Sequence, residues 1–173
     1  MHSKNRKQNR LHGYNYAQPG WYYITICTKD RKHYFGGIQN GVMCVNRLGA
    51  IAWRQWKWLE QQYTYVRLHE FVVMPNHVHG ILQVVDLQKQ RSVGTGRDLS
   101  LHARGNDKIK SLSELIGAYK TTTSKLIHQI PFADFAWQRS FHDHIIRKTH
   151  AFHNIKRYII QNPAMWDNDY FNT

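Results

Sequence analysis

The chain has 173 residues, enough for one domain with a real core, and 42% of them are hydrophobic, which argues against wholesale disorder. No apolar run approaches the roughly 18–20 residues that a membrane span needs, so an integral membrane protein is not expected. Lys and Arg number 24 against 11 Asp and Glu, a net charge of +13 that favours acidic partners, nucleic acid above all.

Residues 1–12 read as a flexible basic arm in which Lys4, Arg6, Lys7 and Arg10 are candidate phosphate contacts. The arm has no apolar stretch behind it and so does not read as a secretory signal. Cys27 and Cys44 lie in no paired motif, which fits a reduced compartment. The expectation is a cytoplasmic, nucleoid-associated protein. Charge is uneven along the chain. Through residue 59 there are ten Lys and Arg, Asp30 is the only acid, and this third carries +9. Tyr14, Tyr16, Trp21, Tyr22 and Tyr23 accompany that charge. Basic side chains neutralise phosphates and flat rings stack on unpaired bases, so single-stranded nucleic acid is one reading of the mixture. A basic protein with an aromatic-rich core is the other.

Past a turn at Pro19-Gly20, residues 21–28 (WYYITICT) are β-branched and aromatic and predict a strand. Residues 31–41 read as a turn or hairpin and 42–45 as a short strand. Asn46 is the expected cap of a helix running to about Gln62, with Ile51, Trp58 and Leu59 on its apolar face. Residues 66–74 and 77–85 predict two strands broken at Pro75-Asn76. Residues 86–106, with Gly94, Gly96 and Gly105, read as a loop. Ser111 and Glu114 form a capping box for a helix to about Gln129, ended by Pro131. Residues 141–146 read as a short strand or extended segment, and a last helix is expected from about His150 to Asn162, stopped by Pro163. The order β, α, β, β, α, β, α predicts a single α+β domain of the ferredoxin-like or RRM-like kind. Its central antiparallel sheet would carry helices on its faces.

The chemistry concentrates in residues 72–82, Val-Val-Met-Pro-Asn-His-Val-His-Gly-Ile-Leu. Side chains at i and i+2 of a strand share a face, so His77 and His79 stand side by side while Val78 turns into the core. Two neutral imidazoles there can bind a divalent metal, although His-x-His also arises by chance in a chain with 12 histidines. On the last helix Tyr158 and Asn162 are four residues apart and share a face. The carboxamide oxygen of Asn162 suits a hard cation, and the Tyr158 phenol can attack phosphorus once the phosphate is polarised. Lys156 and Arg157 are neighbours that supply positive field. Three rivals sit nearby in sequence. Tyr119 is on a helix but has Thr123 where Tyr158 has Asn162. His142-Asp143-His144 repeats the His-x-His pattern on a short strand, where packing or DNA contact is expected. Glu70 precedes the histidine strand.

Pro75-Asn76-His77-Val78-His79 resembles the HUH motif of single-tyrosine transposases, two histidines flanking a hydrophobic residue. Trp137-Gln138, His144-Ile-Ile-Arg147 and Tyr158-Ile-Ile-Gln-Asn-Pro163 resemble their C-terminal block, and residues 14–28 resemble the opening of the REP-associated branch. The similarity spans residues 13–165, which makes 13–173 an HUH transposase-like catalytic domain. The resemblance implies metal ligation by His77 and His79, with magnesium or manganese the usual ion, and Asn162 as a third polar ligand. It implies Tyr158 as nucleophile, leaving a 5′-phosphotyrosine and a free 3′-hydroxyl in single-stranded DNA, at hairpin or palindromic element ends. Arg147, Lys156 and Arg157 then join the arm as candidate DNA contacts. Replication initiators and relaxases share the HUH arrangement, and a non-catalytic RRM-like binding module remains a further alternative. Insertion-sequence relatives dimerise whereas REP-associated ones can be monomeric, so both a homodimer and a monomer stay open.

Overall fold

A computed structural model describes residues 13–86, 109–131 and 134–172. The basic arm and most of the glycine-bearing loop therefore lie outside the described residues. The elements are β1 (Gly20–Cys27), β2 (Gly36–Gln39), β3 (Val42–Val45), α1 (Arg47–Gln62), β4 (Val66–Val73), β5 (His77–Val84), α2 (Leu112–Ile127), β6 (His142–Ile146) and α3 (Thr149–Gln161). Short 3-10 turns follow β1 at Lys29–Arg31 and α3 at Asn162–Asn168.

Strands β4, β5, β1 and β6 form one sheet in that order, each pair antiparallel. With α1 and α2 inserted between strands, this is the split β-α-β arrangement of a ferredoxin-like domain. Helices α1 and α2 pack against each other, and α1 against β4, to cover one face; α3 lies across β4, β5 and β6 on the other. The hairpin β2–β3 forms a separate two-stranded sheet, so the single sheet expected from the sequence carries this addition.

Local chemistry accounts for the helix ends. The Asn46 side chain accepts from the Leu48 and Gly49 amides at 2.9 and 3.0 Å, satisfying two donors that the first turn of α1 would otherwise leave unpaired. Ser111 and Glu114 complete the expected capping box on α2. In α1 the buried arc is Ile51, Ala52, Trp56 and Leu59, and Trp58 sits at its rim, only partly buried. Pro163 ends the α-helical geometry of α3, but the chain continues in a 3-10 turn with the proline in its opening positions. A proline fits there because its missing N–H has no intrahelical partner to lose.

Strand β5 is buried along nearly its whole length, and its alternation separates two chemistries. Val78, Leu82 and Val84 join the main core with Tyr22, Ile24, Trp56 and Tyr119. His77, His79 and Ile81 face α3, where Ile81 packs with Ile146, Phe152 and Ile159. Gly80 is a tight point of the main core. A Cβ there would stand 2.5 Å from the Trp56 ring and 2.9 Å from Phe71, whose rings stack at 4.6 Å. Gly80→Ala should therefore overpack the core and cost about 1–3 kcal/mol, read as a lower midpoint in chemical denaturation with an unchanged slope.

Candidate active site and metal centre

The two histidines of β5 are 0% exposed. The β1 register sets Cys27 opposite His77 and Thr25 opposite His79, and this strand supplies the hydroxyl partners of the His79 ring. Asn76 fixes the first ring. Its amide nitrogen donates to the Arg31 and Phe171 carbonyls at 3.2 and 2.8 Å, so its oxygen faces His77 Nδ1 at 2.8 Å and must accept. His77 Nδ1 thus carries the proton, and Nε2 presents a lone pair. His79 Nδ1 lies 2.8 Å from both the Thr25 and Tyr23 hydroxyls. Hydroxyls donate or accept, so the second ring can be held in either tautomer.

The two Nε2 atoms face each other at 3.0 Å. Without a cation, the His79 Nε2 proton donates to His77 Nε2 while a hydroxyl donates to His79 Nδ1. With both Nδ1 atoms protonated, two lone pairs converge on one point, as divalent metal ligation requires. Burial lowers His77 to about 4 against the pull of the Asp169 carboxylate, and burial together with His77 holds His79 well below its ordinary value. Both rings are therefore neutral near pH 7, the form that binds metal.

Asp169 completes the cluster. Nitrogen atoms of His77 and His79 and a carboxylate oxygen of Asp169 all lie within 4.8 Å of one another. The chain reaches this point through the 3-10 turn after α3, where Trp166 is buried and stacks on the His77 ring at 6.1 Å. Phe171 then packs over His77 and His79 at 4.8 and 5.7 Å. Asn162 is also present. Its nitrogen donates to Asp169 Oδ2 at 2.6 Å, and its oxygen is buried without a hydrogen-bond partner among the described residues. An orphaned amide oxygen near two convergent imidazoles and a carboxylate is a donor set that could hold a divalent cation.

Helix α3 buries Phe152 and Ile159 against the sheet, which turns Tyr158 toward the histidines with 43% of its surface exposed. The Tyr158 hydroxyl is 3.4 Å from His79 Nε2 and 3.4 Å from Asp169 Oδ2. Burial and then Asp169 raise its pKa to about 12, while hydrogen bonds from Asn162 and Tyr23 oppose the rise. The phenol is protonated at neutral pH and needs an acceptor to become a nucleophile. A cavity of about 560 Å³ opens beside it, lined by Arg157, Tyr158, Asn162, Asp169 and Tyr170 among others.

The remaining candidates fall elsewhere. Tyr119 is fully buried on the opposite face of the sheet, its hydroxyl donating to the Ala52 carbonyl at 3.2 Å. His142 and His144 pair with Thr25 and Tyr23, so they share the site face on β6, exposed and outside the metal cluster. Glu70 accepts an ion pair from Lys156 at 2.5 Å, which ties α3 to β4. Arg147 is exposed just after β6. Lys4, Arg6, Lys7 and Arg10 lie outside the described residues. Sequence reasoning missed Asp169, Thr25 and Tyr23. The usable signal for Asp169 was an acid in a basic chain, seven residues beyond Asn162.

No protein-family model matches the chain. A protein of Haemophilus influenzae described as an uncharacterized protein is 34% identical over 169 residues, covering 95% of this chain and 91% of the other. Among solved structures, a REP-associated tyrosine transposase bound to a REP hairpin superposes with a TM-score of 0.57 at 16% identity, over 91% of this chain and 72% of that one. At that identity the likeness is one of fold. It bears out the α+β domain and a resemblance in fold to a REP-associated tyrosine transposase.

If Thr25 and Tyr23 orient His79, the Thr25→Val, Tyr23→Phe double variant leaves a buried ring N–H without an acceptor. Manganese affinity measured by calorimetry should fall about 10–100-fold, with smaller losses in each single variant because one hydroxyl substitutes for the other.

Proposed function

We propose that this chain, which belongs to one family with the Haemophilus influenzae protein and has the fold of a REP-associated tyrosine transposase, is a metal-dependent strand-transfer enzyme acting on single-stranded DNA. The observation that carries this reading is the convergence of the Tyr158 phenol on the His77, His79 and Asp169 cluster. The solved transposase is bound to a REP hairpin, which supports hairpin-bearing DNA as the partner here. Such a substrate suits a nucleoid-associated, cytoplasmic role, and among the described residues no helix is long and apolar enough to cross a membrane.

In this reading His77 and His79 hold magnesium or manganese through Nε2, with Asn162 Oδ1 or the Asp169 carboxylate as third ligand. When bound, the ion polarises the scissile phosphate. The protein's own residues supply the rest. Asp169 Oδ2 accepts the phenolic proton of Tyr158, and the freed oxygen attacks phosphorus in line. The phosphorus–O3′ bond breaks and the leaving 3′-oxygen takes up a proton. A 5′-phosphotyrosine and a 3′-hydroxyl result. The covalent bond conserves the phosphodiester energy, so a hydroxyl can later reverse the step and join strands without nucleotide hydrolysis. Asn162 holds Asp169 at 2.6 Å and so orients the proton acceptor.

The test is an adduct assay on hairpin-bearing single strands with magnesium or manganese, resolved in SDS. Tyr158→Phe should lose the covalent band while retaining DNA affinity, and Tyr119→Phe should keep the band. His77→Ala and His79→Ala should abolish cleavage with binding largely intact, because the basic surface remains. A wild-type protein that binds such strands but never traps them would favour a non-catalytic RRM-like module instead.

The basic arm is proposed to add phosphate contacts. Deleting residues 1–12 removes Lys4, Arg6, Lys7 and Arg10. The slope of log affinity against log salt should then fall by up to about 3 for a single strand. An unchanged slope in a salt titration would mean that the arm does not touch DNA.

A further inference from the structure

A second cleft lies beside the metal cluster, beyond the end of β1. It encloses about 430 Å³ between the turn at 28–31 and the segment 137–139, and Lys29, Arg31 and Arg139 line it against a single acid, Asp30. Its place follows from strand register. Cys27 is paired with His77, and the next residue, Thr28, bridges to Trp137. At about 3.3 Å per residue along a strand, the cleft begins within a residue or two of the histidines.

Both walls are held from behind. On one side Thr28 donates its amide and its hydroxyl to the Asn76 carbonyl, each at 2.9 Å. Asp30 and Arg31 follow with φ of 54° and 52°, two consecutive left-handed residues without a glycine. L side chains rarely adopt that conformation, and it persists where the surroundings impose it. Here Asn76 imposes part of it by donating to the Arg31 carbonyl while its own oxygen accepts from His77. The turn and the first metal histidine therefore share one amide side chain. On the other side Gln138 donates to the Cys27 carbonyl at 2.9 Å, and Lys120 reaches from α2 to the Gln138 and Arg139 carbonyls at 2.6 and 3.0 Å. That ammonium adds a further positive charge behind the wall. Arg31 is engaged by the C-terminal segment, donating to the Tyr170 carbonyl at 3.1 Å and lying over the Tyr170 and Phe171 rings. Lys29 and Arg139 are the exposed cations of the cleft.

We propose that this cleft seats a backbone phosphate of the DNA strand adjacent to the one being cleaved, with Lys29 and Arg139 as its ligands. The inference rests on the strand-transfer reading and adds a path for the strand across the end of β1. Rigid walls, an excess of positive charge and a register one step from the histidines are what such a seat requires. A phosphate held there fixes where the next one falls, which is how a contact away from the reacting atoms sets their alignment.

The decisive experiment compares wild type with Lys29→Ala, Arg139→Ala and the double variant. Both side chains are exposed, so truncation should leave the fold intact, which circular dichroism checks. Binding of fluorescein-labelled oligothymidine is followed by anisotropy across a salt series. The double variant, which empties the single phosphate seat, should lower the slope of log affinity against log salt by about 0.7, and each single variant by no more than that. A hairpin-bearing strand carrying one neutral methylphosphonate is then moved past the cleavage site. One position next to the scissile phosphate should weaken binding by wild type but not by the double variant, because the lost charge has no partner left to lose. An unchanged salt slope, or a methylphosphonate penalty equal in both proteins, overturns the proposal. The adduct assay reports separately on the enzymatic reading. A wild type that traps DNA alongside a double variant with an unaltered slope removes the cleft alone, whereas a wild type that traps no strand removes the strand-transfer reading.

Discussion

Two imidazole nitrogens, 3.0 Å apart and sealed from water, organise this molecule. Burying two neutral rings is costly unless their nitrogens are paired, and holding their lone pairs toward a common point requires that every other polar atom of the rings be fixed. Asn76 does this for His77, and the Thr25 and Tyr23 hydroxyls do it for His79. Asn76 can act only because its nitrogen is anchored to carbonyls from the turn after β1 and from the C-terminal segment. The site thus depends on segments as far apart as residues 31, 76 and 171.

The sheet makes that arrangement affordable in packing terms by giving each face a separate task. One face of β5 feeds a core in which Trp56, Tyr119 and Tyr22 are fully buried, and the missing side chain of Gly80 lets Trp56 lie against the strand. The other face is thinner and mixed, with a small apolar cluster of Ile81, Ile146, Phe152 and Ile159 beside the polar site. Helix α3 is held there by that cluster and by the Lys156–Glu70 ion pair. The pair is partly exposed and contributes little stability by itself. Its geometric effect is to bind the helix that carries Tyr158 to the edge strand β4.

Tyr158, Asn162 and Asp169 form a second polar unit that meets the first. The phenol is too weakly acidic to ionise unaided, and the neighbouring carboxylate raises its pKa further while offering a place for its proton. Asn162 bridges these roles, donating to Asp169 through one end and leaving its buried oxygen without a hydrogen-bond partner among the described residues.

Local features were legible from the residues alone. Strand alternation set His77 and His79 on one face and Val78 on the other, and helix spacing set Tyr158 and Asn162 together. Asn46, Ser111 and Glu114 announced their caps, because each signal involves side chains within four residues of one another. The α+β order also followed from these periodicities. Only tertiary structure decided that Asp169 joins the cluster, that Thr25 and Tyr23 flank His79, and that Tyr119 is sealed on the far face with its hydroxyl on Ala52. It also detached β2–β3 from the main sheet and left His142 and His144 at its exposed edge. Such contacts join residues 54, 67 and 79 positions apart. No periodicity extends over such separations, and their partners are chosen by how the sheet and helices pack rather than by the pattern of any one segment.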